Sequence, residues 1–87
     1  MPGVTRNAGR DAAAGRNIQG SPTVFANNDP VVRIGDRVLP HGTGVHAGPV
    51  MASGSGNVFT NNIPTCRQGD VATCGHRSTG SGDVFVN

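Results

Sequence analysis

Residues 20–36 recur without a gap at 54–70, thirty-four positions further along. Gly20-Ser21, Val24-Phe25, Asn27-Asn28, Pro30, Arg33 and Gly35-Asp36 return as Gly54-Ser55, Val58-Phe59, Asn61-Asn62, Pro64, Arg67 and Gly69-Asp70. A third copy opens at Gly80-Ser81-Gly82-Asp83-Val84-Phe85-Val86-Asn87, so all three Phe fall at one phase. A fixed period in so short a chain implies a fold assembled from copies of one small unit.

Val-Phe-x-Asn is a short stretch of β-branched and aromatic residues, and the Asn pair that follows tolerates positive φ, the requirement of a tight hairpin turn. Pro30 and Pro64 lack an amide donor and belong at the start or edge of a return strand, and Gly35-Asp36 and Gly69-Asp70 form the next turn. Each unit therefore reads as a β-hairpin. One hairpin cannot bury its apolar face, so the copies are expected to gather around a common axis. Pro2-Gly3-Val4-Thr5-Arg6 with Gly9-Arg10-Asp11 is a worn version of the return half, whereas 84–87 is an opening half without a return. The N-terminal segment is expected to complete the third hairpin and bring both chain ends to one face.

The chain has 87 residues, room for one domain (1–87), and a domain of this size needs a metal, a disulfide or a permanent partner besides its core. It contains no Glu and no Lys and only one Leu, against 14 Gly and 6 Pro, which excludes a helical protein and supports an all-β class. The formal net charge of +2 is too small for a chain kept disordered by self-repulsion. The seven basic residues are all Arg, scattered and mostly near an Asp, and neither Trp nor Tyr is present for base stacking, so no nucleic-acid partner is expected. No apolar run is long enough to span a membrane, and residues 1–18 lack the apolar middle of a signal peptide, so synthesis as a soluble cytoplasmic protein is expected. Two Cys in such a chain suit free thiols or metal ligands better than a disulfide.

Cys66 apart, every His and Cys lies in one of two stretches that follow a Gly-Asp turn: Pro40-His41-Gly42-Thr43-Gly44-Val45-His46 and Cys74-Gly75-His76. In an extended segment Cys74 and His76 point to the same side. His41 and His46 would diverge on a straight strand, but Gly42 and Gly44 let the intervening loop turn back. Three imidazoles and one thiolate form a closed tetrahedral set suited to one structural zinc ion, with no open position for substrate. Neither spacing is a standard zinc-finger spacing; their equivalent placement after successive repeats carries the assignment. A rival set takes Cys66 in place of Cys74, but Cys66 occupies the phase of Val32 and reads as a buried apolar thiol. The connector 37–53 is longer than its counterpart 71–79, is rich in Gly and Pro, and is expected to depend on the metal for its shape. The Arg33/Asp36 and Arg67/Asp70 pairs read as turn chemistry, the Asp accepting from amides of its own turn while the Arg covers its charge. No paired carboxylates or activated nucleophile stand nearby, and no catalytic residue is assigned.

Pro30-Val31-Val32-Arg33-Ile34-Gly35-Asp36 and Pro64-Thr65-Cys66-Arg67-Gln68-Gly69-Asp70 resemble the Pro-Ala-Ala-Arg-x-Gly-Asp motif of PAAR-repeat proteins, with Val-Val and Thr-Cys in place of Ala-Ala. The Gly-Ser-x-x-Val-Phe openings look like that family too, and the likeness covers essentially the whole chain. It implies a small conical fold of three pseudo-threefold β-hairpin repeats pinned by a metal at the apex. Carried over by position, the zinc ligands are His41, His46, Cys74 and His76. It further implies a non-enzymatic tip protein, a monomer whose base docks on a trimeric β-helical spike and whose apex touches the target membrane transiently. Such tips belong to contractile injection machines. A bacteriophage tail is the favoured setting, giving a virion tail tip assembled in the host cytoplasm, since no extra domain is attached; a type VI secretion system, with a tip that is first cytoplasmic and then secreted, is the alternative. A small zinc enzyme and a nucleic-acid-binding zinc module are more distant readings.

Overall fold

The computed structural model describes residues 2–7 and 11–87. Among these the chain is almost free of helix and is built from short antiparallel pairs: β1 (Ala12–Ala13) with β2 (Gly15–Arg16), β3 (Phe25–Ala26) with β4 (Asp29–Pro30), and β5 (Phe59–Thr60) with β6 (Ile63–Pro64). The β3–β4 and β5–β6 hairpins are the two full repeats. Their turns hold Asn27 and Asn28 at φ 54° and 67°, and Asn61 and Asn62 at 54° and 66°. Two successive left-handed residues are what a two-residue hairpin needs to match the twist of its strands, and Asn supplies them at low steric cost. The β1–β2 hairpin, turning at Ala14 with φ 66°, is the short counterpart of the connectors 37–53 and 71–79: the Asn17, Met51 and Ser78 amides donate alike to the Asp11, Asp36 and Asp70 carbonyls at 2.9, 2.9 and 2.7 Å.

The third repeat is split between the chain ends. Gly3 bridges Phe85, the Val4 amide donates to Val84 O at 2.8 Å, and the Val86 amide donates to Pro2 O at 3.0 Å. The first contact of each repeat is reproduced in all three: Ser21, Ser55 and Ser81 are buried, and their amides donate to Val31, Thr65 and Val4 carbonyls at 2.8 Å in each case. Their hydroxyls accept from the Val24, Val58 and Val84 amides three residues on. The N-terminal segment thus completes the third hairpin, as its sequence implies; Gly9 and Arg10 of that segment lie outside the described residues.

The three return segments meet at the centre. The Val32 amide donates to Thr5 O at 3.0 Å, the Cys66 amide to Val32 O at 2.9 Å, and the Thr5 amide to Cys66 O at 3.0 Å. These three bonds close a ring. Around it run three matching bridges, Arg6 with Val31, Arg33 with Thr65 and Arg67 with Val4. The ring divides the core in two. On one side Val4, Ala26 and Val31 are buried with Val84 and Val86 packed against them; on the other Val32, Cys66, Ala13, Val38, Met51 and Ala72 pack with Ile34 and Cys74. The first cluster belongs to the hairpins, and the second packs the ring residues Val32 and Cys66 against the connectors.

Immediately after the ring each chain segment turns on an arginine–aspartate pair. Asp11, Asp36 and Asp70 are buried, and each accepts through Oδ2 from the backbone amide and Nε of its Arg, namely Arg6, Arg33 and Arg67, at 2.7–3.0 Å. Gly35 and Gly69, at φ 90° and 91°, make the turn that brings the Asp back to the Arg, a conformation that a Cβ would strain. In the split third repeat the pair, Arg6 and Asp11, is five residues apart instead of three, yet the bonding is the same. Burial works to raise the Asp70 carboxyl, but bonds from the Arg67 side chain and amide and from Ser53 outweigh it and hold the group below the ordinary carboxylate range.

An Asp70→Ala protein loses this cradle and leaves the Arg67 amide and guanidinium without their acceptor, which costs roughly 2–4 kcal/mol of stability, measured by denaturant unfolding. Because the folded-state pKa of Asp70 is depressed, its contribution is present above the unfolded value of about 3.9 and is lost as pH falls toward the folded value. The Asp70 contribution, read as the stability difference between wild type and Asp70→Asn, therefore holds from neutrality down to about pH 4 and shrinks below it.

Candidate metal centre

His41, His46, Cys74 and His76 come from the two connectors on the Met51 side of the ring, and one ligand atom from each lies within 4.8 Å of all the others. The three imidazoles face one another with ring centroids 5.0, 5.2 and 5.4 Å apart. The structure brings together all four residues assigned from the sequence.

The first connector is closed by its own backbone. The His41 amide donates to His46 O at 2.9 Å, and a 3-10 turn at Gly44–His46 begins at Gly44 with φ 62°, so the loop doubles back as its glycines suggest. Gly42 is needed for closeness: a Cβ there would stand 3.1 Å from the Cβ of His46. The second pair is presented differently from the expectation. Cys74 and His76 do not lie on an extended strand. They flank a turn in which Gly75, at φ 88°, donates its amide to Ala72 O at 2.9 Å while the Ala72 amide donates to His76 O at 3.0 Å. A left-handed residue between them, available to Gly without strain, folds both side chains toward the same point. The two connectors are then joined, with Met51 bridging Ala72 and the Thr73 amide donating to Val50 O at 2.8 Å.

The hydrogen bonds orient the donors. His41 Nδ1 stands 3.0 Å from Leu39 O, and because a carbonyl can only accept, Nδ1 carries the proton and Nε2 keeps its lone pair. That bond is the outer-shell support commonly found behind a metal-binding histidine. His46 Nδ1 lies 3.2 Å from His41 Nε2. With imidazole-to-metal bonds of about 2.0–2.1 Å, the edge of a tetrahedral site is ~3.3 Å, so this spacing suits two ligands of one ion. The β1–β2 hairpin supplies no ligand but forms a wall: a Cβ on Gly15 would fall 2.7 Å from His41 Nδ1. This contact has no signal in the repeat, since it joins segments that the repeat does not align.

Cys66 is outside the group. It is fully buried in the core, donates its thiol hydrogen to Ser53 O at 3.4 Å, and burial pushes it up to about 12, so it packs as an apolar protonated thiol apart from the four clustered side chains. Cys74 is half-buried and packs its edge on the core. Among the described residues no other group of His, Cys and acidic side chains has such an arrangement, and no helix is long and apolar enough to cross a membrane. The sequence matches no protein-family profile, and comparison with characterised proteins finds no significant relative.

The two cysteines separate site from core experimentally. Elemental analysis of purified protein is expected to give about one metal ion per chain in wild type and Cys66→Ala and none in Cys74→Ala. Single Ala replacements of His41, His46, Cys74 or His76 weaken metal binding on the order of 100-fold or more, since about 10–16 kcal/mol of structural metal binding is shared by four ligands. Cys66→Ala costs only about 1–2 kcal/mol of packing. Metal lost from Cys66→Ala and kept in Cys74→Ala reverses the assignment.

Proposed function

We propose that this protein is a PAAR-type tip that caps and sharpens the trimeric β-helical spike of a contractile injection machine, with a zinc ion stiffening the point. The observation that carries this reading is the ring of Phe25, Phe59 and Phe85, which are 55, 56 and 47 % exposed at equivalent positions of three hairpins related by a pseudo-threefold arrangement. Solvent-exposed aromatic side chains at matched positions around one axis suit a partner that offers three equivalent apolar seats. The partner's open strand edges would gain a cover that closes them.

The rest of the molecule supports a mechanical role. The hairpins with their Phe lie on one side of the central ring and the four candidate ligands on the other, so a load applied at the Phe end passes through three hydrogen-bonded turns before it reaches the histidines. Zinc bound by His41, His46, Cys74 and His76 would supply bonds that tie the loops 37–53 and 71–79 together. Four protein donors fill a tetrahedral site, so the arrangement serves structure and leaves no coordination position for a substrate.

The test uses the full chain with zinc and a trimeric β-helical spike protein of a contractile injection machine. Size-exclusion chromatography and calorimetry are expected to show one chain per trimer. Replacing Phe25, Phe59 and Phe85 together by Ser reduces affinity by at least 100-fold, since each buried Phe contributes about 1.5–3 kcal/mol, while the melting temperature changes little because the rings are exposed in the free protein. Absence of a wild-type complex, or a stoichiometric complex with the triple variant, rejects the reading.

A further inference from the structure

Among the described residues, the charges outside the Arg–Asp turns are divided by the central ring. The connector segments 12–20, 37–53 and 71–79 contain no acidic residue and carry Arg16, Arg37 and Arg77, all exposed. Asp11, Asp36 and Asp70 are occupied by Arg6, Arg33 and Arg67. Asp29 and Asp83 belong to the hairpin side. Arg77 donates one bond, from Nη1 to Gly69 O at 2.8 Å, which leaves its charge uncompensated. The sequence reading of the arginines as paired turn chemistry therefore holds for three of them and does not extend to these three.

The exposed aliphatic side chains of the same half interleave with these cations. Asn17 bridges Val38, both buried, so Arg16 stands opposite Leu39 and Arg37 opposite Ile18; the Leu39 amide donates to Arg16 O at 2.8 Å and the Ile18 amide to Arg37 O at 3.0 Å. Residues flanking a buried bridge point to the other face of the ribbon. Arg16, Ile18, Arg37 and Leu39 are all exposed and share that face, two cations alternating with two aliphatics. Val45, 61 % exposed on the 3-10 turn beside His46, adds a third aliphatic side chain, and Arg77 adds a third cation next to His76.

We infer that the metal-bearing half is a docking surface for an anionic lipid membrane, with Arg16, Arg37 and Arg77 on the phosphate headgroups and Ile18, Leu39 and Val45 at the acyl boundary. Alternating cationic and aliphatic side chains match the layering of that interface. Nucleic acid is the weaker match, because base stacking needs aromatic rings and the three Phe all lie on the opposite side of the central ring. The inference rests on the spike-tip reading for its orientation, metal end outermost, and adds to it an affinity for the surface to be crossed.

Co-sedimentation of the zinc-loaded full chain with vesicles tests it. Vesicles of phosphatidylcholine with about one third phosphatidylglycerol are expected to bind the protein at low salt, and binding falls steeply as salt screens the charges. Each Arg→Gln change among Arg16, Arg37 and Arg77 weakens binding about fivefold and the triple change about 100-fold. The Ser triple variant of Ile18, Leu39 and Val45 weakens binding but keeps its salt dependence. The Phe25/Phe59/Phe85 Ser variant binds vesicles like wild type, so spike capping and membrane binding fail independently. Circular dichroism melts of each variant confirm folding, and the exposed single Arg→Gln proteins stand in if a triple variant does not fold. Four outcomes overturn the inference: equal binding to pure phosphatidylcholine, binding unchanged in the Arg variants, displacement by inorganic phosphate at matched ionic strength, and DNA binding that the Arg changes abolish while anionic vesicles are ignored.

Discussion

Three backbone hydrogen bonds, from Val32 to Thr5, from Cys66 to Val32 and from Thr5 to Cys66, hold the rest of the molecule in register. Each joins segments far apart in the chain, so the ring exists only when all three repeats are present. Strand pairs two residues long cannot persist alone. Closing them on one another removes their free edges and gives each hairpin the apolar neighbour it lacks. The Arg–Asp turns that follow act locally: by engaging both the guanidinium and the amide of its Arg, each Asp sets the direction in which the chain leaves the ring.

That exit direction is what brings His41, His46, Cys74 and His76 together as a candidate metal centre. Two connectors leave successive turns on the same side of the ring, are laced together through Met51, Ala72, Val50 and Thr73, and present two ligands each. Left-handed glycines at 44 and 75 bend the loops, and the absence of a side chain at 15 and 42 lets neighbouring backbone approach the imidazoles. A core of small residues, with Val, Ala, Met and Cys in place of Leu and Phe, offers little burial per residue. A metal ion held between the connectors would compensate for that thinness by cross-linking chain that has few apolar contacts of its own.

The large apolar side chains follow the opposite rule. All three Phe are exposed, a placement that a small protein short of core would avoid if it acted alone. It is the feature on which the proposed docking to a spike rests. The exposed Arg and aliphatic residues on the far half form a second surface of different chemistry, so the two ends are suited to different neighbours.

Much of this was legible in the amino-acid order because the information is local. The sign of φ at Asn27-Asn28 and Gly35, the three-residue reach from Arg33 to Asp36 and the strand character of Val24-Phe25 depend on side-chain chemistry within a few positions, and repetition marks them as significant. The four clustered side chains that could hold a metal ion were identifiable for the same reason, their positions following equivalent turns, and Cys66 was separable from Cys74 by its alignment with Val32. Tertiary structure alone decided what depends on register between distant segments: which carbonyl each of the Thr5, Val32 and Cys66 amides meets across the central ring, that Gly15 lies against His41, and that Arg16 and Arg37 stand opposite Leu39 and Ile18. Such pairings are selected by closure of the ring and the packing that follows, and a backbone hydrogen bond leaves no residue-specific mark in the sequence.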